Sequence, residues 1–350
     1  MGYKFGKYAS FGANTLTPSA TSNGVFFGGV AIGTGNSNAG NACLVVGSGN
    51  SIASGASLGG SLGCIVVGKA NTMNATNSPT GNLVVGTGNT VDSDYAITFG
   101  RNNTHSGASY SIVGGSGNTL TSNADSSLVV GEAQLVSGSY NCVVGFENEI
   151  GLNSNVNAVF GEANKLDAGA VGVGAVGVGH SVGSATASQG DFSFVSGFGG
   201  DVRFYGQRTL SGRQFSAVGD AQTSEIILKC QTTSATPVEA VAGHSSNTSG
   251  FNIPNDSAGV FKITVIARNT GTNDDCAAYT LVGALDRNAS AGTTALLGTV
   301  SKTVVHEDDS NWDINATADT TDGGIQVLCT GAAGKNINWV CRMEMTEVVG

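Results

Sequence analysis

The residues of this chain best suited to catalysis are three glutamates in its first half. Glu132, Glu147 and Glu162 each follow a glycine by one or two residues, in segments that resemble one another. Two carboxylates on one edge of a protein can act as the general acid and general base that hydrolyse a glycosidic bond. Acidic turn residues also keep an extended protein soluble, and this is their commoner role. We therefore predict a protein that is not an enzyme, with no catalytic residue, and keep polysaccharide cleavage as an alternative.

A second group of polar residues lies in HEDDSNWD, residues 306–313. Asp308, Asp309, Asn311 and Trp312 are the candidate binding residues, because carboxylates and amides bond sugar hydroxyls and an indole stacks on a sugar ring. The carboxylates could also bind a hard cation. The alternatives are a solvated acidic turn and a tryptophan that belongs to the core of a strand at 312–316.

Cofactor and metal motifs are weak throughout the sequence. Gly-x-Gly occurs at 33–35, 47–49 and 86–88, but no helical pattern follows to bind a phosphate. Calcium-binding repeats need an aspartate where these repeats carry a neutral amide. We expect no cofactor and no metal ligand.

The charge and the cysteines limit the partners and the compartment. The formal net charge of -10 disfavours nucleic acid, which requires a basic surface. The seven cysteines form no C-x-x-C pair and lie mostly in apolar runs, as buried thiols do. Residues 1–12 lack the apolar core of a secretion signal. These features indicate synthesis in a reducing cytoplasm.

The elements that position these residues are repeats of one cassette. CLVVGSGNSI (43–52) returns as NLVVGTGNTV (82–91) and NCVVGFENEI (141–150), among others, with a period of about 14 residues and insertions. Such repetition predicts a solenoid of parallel β-coils. An amide follows the central glycine by three residues in nine cassettes, at Asn36, Asn50, Asn71, Asn89, Asn103, Asn118, Gln134, Asn148 and Asn164. The amides predict either a hydrogen-bonded ladder or left-handed turns, and both remain open.

The cassette strands are apolar at successive positions, as in Leu44-Val45-Val46. Side chains alternate between the two faces of a strand, so one of these residues points away from the coil interior. A long exposed apolar face is rare in a soluble monomer. The pattern therefore predicts an oligomer, and three coils packed around one axis would cover the face.

The cassettes of residues 24–182 resemble the head repeats of trimeric autotransporter adhesins, which form left-handed parallel β-rolls in homotrimers. Similar repeats occur in bacteriophage tail fibres. We expect neither the secretion signal nor the membrane anchor of the adhesins here, so the resemblance favours the phage proteins. It implies a homotrimeric receptor-binding protein of a virion, synthesised in the host cytoplasm.

The repeat ends before residue 211, and the remaining chain shows strands with strict alternation. Ile226, Leu228 and Cys230 share one face of a strand, as do the odd-numbered residues of 261–267 and of 337–345. Seven or so such strands predict an antiparallel β-sandwich of jelly-roll type. The expected organisation is an attachment segment (1–23), a β-roll shaft (24–190), an aromatic cap and neck (191–210) and a β-sandwich tip (211–350).

The repeats and strands predict an all-β protein, and the resemblance implies a non-enzymatic phage tail fibre. Its expected partners are two further copies of itself, other tail or capsid proteins at its N-terminus, and a host-surface glycan or protein at its C-terminal domain. The alternatives are a capsid-mounted head fibre or decoration protein and a polysaccharide-cleaving tailspike.

Overall fold

The computed structural model describes residues 9–16, 29–40, 42–53, 63–74, 80–183, 190–243, 251–271 and 274–350. The chain divides into two compact units, Met1–Gly172 and Val173–Gly350. Within the described ranges all regular structure is β, apart from one short 3-10 helix at Ala291–Thr293. The all-β prediction is confirmed. No helix of the described residues is long and apolar enough to cross a membrane.

Unit 1 is a parallel β-solenoid in which each coil contributes one long and one short strand. The strands of the long sheet are Ala9–Phe11, Val30–Thr34, Leu44–Ser48, Ile65–Lys69, Leu83–Thr87, Ile97–Arg101, Ile112–Ser116, Leu128–Glu132, Cys142–Phe146 and Ala158–Glu162. Those of the short sheet are Thr15–Leu16, Ser37–Asn38, Ser51–Ile52, Thr72–Met73, Thr90–Asp92, Thr104–Ser106, Thr119–Leu120, Leu135–Val136, Glu149–Ile150 and Lys165–Leu166. Equivalent cassette residues pair in register, as Gly86, Gly100 and Gly115 do.

The middle residue of each apolar triplet points into the coil. Val45, Val66 and Val84 are fully buried and pack with Ile52 and Met73 from the short strands. This apolar interior is narrow, and it runs along the stack of coils. Each coil therefore buries its hydrophobic residues only when neighbouring coils stack on it.

The central cassette glycine is required by the close stacking of the coils. Gly100 has a φ of +110°, and a Cβ at this position would lie 2.0 Å from the carbonyl oxygen of Gly115 in the next coil. Any side chain would meet both a strained backbone and a steric clash. The same geometry recurs at Gly86. Recurrence of this glycine thus reflects a backbone requirement.

The amides form the hydrogen-bonded ladder. The Asn103 amide nitrogen donates to Oδ1 of Asn89 at 3.0 Å and to the carbonyl of Gly115 at 3.1 Å, while Asn118 donates to Oδ1 of Asn103 at 3.0 Å. None of the nine ladder residues has a positive φ. The ladder is confirmed, and the left-handed turns belong to other residues, such as Asn102.

Unit 2 opens with further coils of the same kind. Its parallel long strands are Gly174–Val178, Phe194–Phe198 and Arg208–Ser211, and its short strands are Ser181–Val182 and Asp201–Val202. The aromatic stretch predicted as a cap therefore contains another coil. Arg208–Ser211 pairs in parallel with Phe194–Phe198 on one side and antiparallel with Ala221–Thr232 on the other. This strand is where parallel pairing changes to antiparallel pairing.

The rest of unit 2 is an antiparallel sandwich, as predicted. One sheet contains Ala221–Thr232, Val241–Ala242, Ser257–Asn269, Cys276–Arg287, Ala295–Leu296, Ser301–Glu307 and Ile337–Val349. The other contains Val238–Glu239, Phe251–Asn252, Asp313–Asp319 and Gly324–Thr330. Alternate residues of these strands, among them Phe261 and Trp339, form a single buried core.

The predicted domain boundaries are not tested by this division into two units and stay predictions. Of the attachment segment, residues 1–8 and 17–23 lie outside the described part of the chain. Its strands Ala9–Phe11 and Thr15–Leu16 pair in parallel with Val30–Thr34 and Ser37–Asn38.

Candidate functional site

The outer face of the long sheet in unit 1 carries exposed apolar side chains. Positions one and three of each long strand point outward, as at Ile97, Phe99 and Ile112, which are each about two-fifths exposed. The alternating residues Thr98 and Val113 are fully buried. The prediction that one residue of each apolar pair faces away from the coil is confirmed. We call this surface the outer face.

A column of aromatic side chains borders the outer face at the start of the long strands. Tyr95, Tyr110 and Tyr140 each lie five residues before a central glycine and have positive φ values of 53°, 58° and 60°. Their exposed fractions are 51%, 65% and 64%. The rings of Tyr95 and Tyr110 stack with centroids 5.2 Å apart and planes 10° apart.

The turns that present these tyrosines are held by hydrogen bonds between coils. Asp94 accepts a bond from the Thr80 N–H at 2.7 Å, and Asp125 accepts one from the Ser109 N–H at 2.6 Å. The Tyr110 N–H donates to the Asp94 carbonyl at 3.0 Å. Exposed rings on such a fixed backbone can stack on sugar rings. This column was not predicted from the sequence, although tyrosine recurs five residues before the central glycine in three cassettes.

A row of acidic and aromatic residues borders the opposite margin of the outer face, at the ends of the long strands. Glu132, Phe146 and Glu162 occupy one register position in three consecutive coils. Glu147 follows Phe146 in a left-handed turn with a φ of 53°. Because neighbouring strands lie about 4.8 Å apart, the Cα atoms of Glu132 and Glu162 are separated by roughly 9.6 Å. We call these four residues the acidic row.

The carboxylates of the acidic row are exposed. Glu132, Glu147 and Glu162 lie on the surface, and within the described residues no lysine, arginine or histidine nitrogen approaches them within ion-pair distance. Phe146 is also exposed, between Glu132 and Glu162. An aromatic ring flanked by two free carboxylates can stack on a sugar ring and place acid and base groups on its two sides.

The four binding residues predicted near the C-terminus lie close together, but they do not all face solvent. Trp312 is only 1% exposed, and its ring packs 6.0 Å from that of Trp339 in the core. Its indole therefore cannot stack on a surface ligand. Asp309 accepts hydrogen bonds from Lys335 Nζ at 2.8 Å and from the N–H of Asn311 at 3.0 Å. The Lys335 ammonium, then the Asn311 N–H, lowers the pKa of Asp309.

Asp308 is bonded to a different strand. Its Oδ2 accepts the N–H of Cys276 at 2.8 Å, and its Oδ1 lies 3.1 Å from Nε2 of His306. The Cys276 N–H lowers the pKa of Asp308. Ligand binding by Asp308, Asp309 and Asn311 stays a prediction.

Comparisons of the sequence with protein-family models and with curated proteins find no match. Two of the solved structures that are similar to the chain are tailspike proteins. The first is the tailspike protein gp49 from the Acinetobacter baumannii bacteriophage Fri1, a capsular polysaccharide depolymerase. It matches with 12% identity and a TM-score of 0.24, over 92% of this chain and 67% of that one. The second is the tailspike protein of Acinetobacter baumannii phage AM24, with 8% identity and a TM-score of 0.26, over 98% of this chain and 78% of that one.

Both matched proteins are phage tailspikes. The prediction that the chain is not an enzyme is contradicted by the first match, since that protein is described as a depolymerase. The resemblance to adhesin heads stays a prediction.

Proposed function

We propose that this chain is a phage tailspike that binds a polysaccharide of the bacterial capsule and cleaves it. The observation that carries the proposal is the acidic row, where Glu132 and Glu162 flank the exposed ring of Phe146 in register. The stacked rings of Tyr95 and Tyr110 support it, because they offer further sugar-stacking surface on the same solenoid.

The proposed reaction is hydrolysis of a glycosidic bond. One carboxyl group of the Glu132 and Glu162 pair protonates the leaving oxygen, and the other removes a proton from the water that attacks the anomeric carbon. Inverting enzymes hold these groups about 6.5–9.5 Å apart to leave room for the water. The Cα separation of roughly 9.6 Å, from two strand spacings, allows such a distance, so we expect inversion at the anomeric carbon.

The proposed assembly is a homotrimer in which the outer faces pack together. A partner that covers the middle of the outer face would leave the acidic row at its margin, open to a long saccharide. In this proposal the N-terminal residues attach the protein to the virion, and the C-terminal sandwich contacts the host surface. Three identical sites on one particle would gain avidity for a repeating polymer.

The decisive experiment incubates the purified protein with a panel of capsular polysaccharides and measures chain length and new reducing ends. We expect shortening of at least one polymer. Glu132→Gln and Glu162→Gln should each lower the rate by about 10²–10⁴-fold, because each removes one proton-transfer group. Glu149→Gln is the matched control, since Glu149 is exposed on the same solenoid but belongs to the short sheet.

Two results would contradict the proposal. A polysaccharide that binds but is never shortened would rule out cleavage. If both the Glu132 and Glu162 variants shorten the polymer at the wild-type rate, the acidic row is not the catalytic site.

A further inference from the structure

Three side chains with metal-binding atoms come together at one end of an exposed strand in unit 2. Cys276 begins the strand Cys276–Arg287, and His306 and Asp308 lie at the end of Ser301–Glu307 and just beyond it. One ligand atom from each residue lies within 4.8 Å of the other two. None of the three is needed for the proposed cleavage of polysaccharide.

Strand pairing explains this juxtaposition. Ala278 pairs with His306 and Ala277 with Glu307, and the N–H of Asp308 donates to the carbonyl of Cys276 at 3.1 Å. Residues two apart on a strand share a face, as do residues directly opposite on neighbouring strands. The Cys276, His306 and Asp308 side chains therefore project from the same face of the sheet.

A β-bulge sets the register that permits this arrangement. Tyr279 pairs with Val304 and Ala278 with His306, which leaves Val305 as the extra residue. Without the bulge, Ala278 would pair with Val305, and His306 would lie on the opposite face. Bulges often re-aim side chains at functional sites.

We propose that Cys276, His306 and Asp308 bind one Zn²⁺ ion, with the fourth coordination position open to water or to an external ligand. A thiolate, an imidazole and a carboxylate together suit zinc better than calcium or magnesium, which prefer oxygen ligands. Nε2 of His306 and Oδ1 of Asp308 are 3.1 Å apart. Ligands of a tetrahedral zinc ion lie about 3.3 Å apart, so these two atoms are already near the required separation.

The surroundings of the three residues hold two of them in place. Oδ2 of Asp308 accepts the Cys276 N–H and so restrains the carboxylate, while Oδ1 lies near His306. Lys335 Nζ donates to Asp275 and to Asp309, both at 2.8 Å, and these are the chain neighbours of Cys276 and Asp308. Supporting bonds of this kind are typical of zinc sites, where they orient the direct ligands.

The test is titration of the metal-free chain with Co²⁺, a spectroscopic substitute for Zn²⁺. We expect a thiolate-to-cobalt charge-transfer band that saturates at one equivalent per chain and disappears when Zn²⁺ displaces the cobalt. Cys276→Ser should abolish the band. His306→Gln should weaken binding by at least about 10-fold while leaving the fold intact, because the His306 side chain is half exposed.

Cys230→Ser is the matched control, since Cys230 is also a half-buried cysteine on a strand of the same sandwich. It should keep the band. Absence of a charge-transfer band, or a band that survives in Cys276→Ser, would overturn the proposal. Equal cobalt affinity in the normal protein and in His306→Gln would do the same.

Discussion

At the scale of single residues, one pair departs from the apolar pattern inside the solenoid. Thr98 occupies a position that is valine in most coils, and His105 occupies one that is usually isoleucine, leucine or valine. Both are fully buried. Nδ1 of His105 lies 3.3 Å from the Thr98 hydroxyl, and Nε2 lies 2.5 Å from the carbonyl of Ala108. Nε2 thus carries the proton, and the Thr98 hydroxyl donates to Nδ1.

This pair makes stability depend on pH. Burial lowers the pKa of His105 from 6.5 to about 4. The unfolded chain therefore binds a proton more readily, and the stabilising contribution is present above pH 6.5 and lost as the pH falls towards 4. At about 1.4 kcal/mol per pKa unit, the loss is on the order of 3 kcal/mol.

We predict that Thr98→Val/His105→Leu reduces the loss of stability between pH 6.5 and 4. Both changes restore the residue types of neighbouring coils, so the core stays filled. Denaturant unfolding at a series of pH values, for the normal protein and the double variant, measures the effect. Parallel stability curves for the two proteins would show that His105 does not titrate in this way.

At the scale of the elements, the amide ladder joins the coils that parallel pairing stacks. Asn103, for example, donates to Oδ1 of Asn89 in the preceding coil and to the carbonyl of the close-packed Gly115 in the next one. Ladder amides are fully buried, so a missing rung leaves donors and acceptors unpaired.

We predict that Asn103→Ala lowers the free energy of unfolding by about 1–3 kcal/mol or more. The substitution leaves Oδ1 of Asn89, the N–H of Asn118 and the carbonyl of Gly115 without the hydrogen bonds that Asn103 makes to them. Thermal or urea unfolding measures the change. Asn123→Ala is the control, since Asn123 is exposed in the same solenoid and should tolerate the substitution. Equal stability of the Asn103 and Asn123 variants would show that the ladder hydrogen bonds of Asn103 do not stabilise the fold.

At the scale of the whole molecule, the outer face is an apolar surface that a single chain leaves exposed to solvent. Its exposed side chains include Ile65, Leu83, Ile97, Phe99 and Ile112 in consecutive coils. A continuous apolar surface of this kind marks an interface. The net charge of -10 opposes aggregation by mutual repulsion, but it does not cover the apolar surface.

We predict that light scattering after size-exclusion chromatography gives three times the chain mass of 34.8 kDa. Ile112→Lys should shift the protein towards monomer, because it places a charge in the interface. Leu135→Lys is matched in exposure, 39% for both residues, but lies on the short sheet and should leave the trimer intact. A monomeric normal protein would refute this assembly.

The repeats could be predicted from the sequence because they depend on local rules. The central glycine and the recurring amide follow from stacking one coil on an identical one, so spacing alone located them. The structure then showed that the amides bond to one another and that the middle apolar residue is the buried one. Alternation along residues 261–267 and 337–345 likewise predicted sandwich strands, since period two is a property of any half-buried strand. The exposed tyrosine column obeys the same spacing rule and was within reach of the sequence.

Other features depended on contacts between distant residues, which no local pattern encodes. Trp312 has a polar surrounding sequence, but its burial against Trp339 was decided by how two sheets face each other. Glu132 and Glu162 became a pair because parallel registration places them on either side of Phe146. Cys276 meets His306 through antiparallel pairing and one bulge, across 30 residues of chain. Spacing in this sequence determined the coils and strands, whereas tertiary pairing decided which side chains share a site.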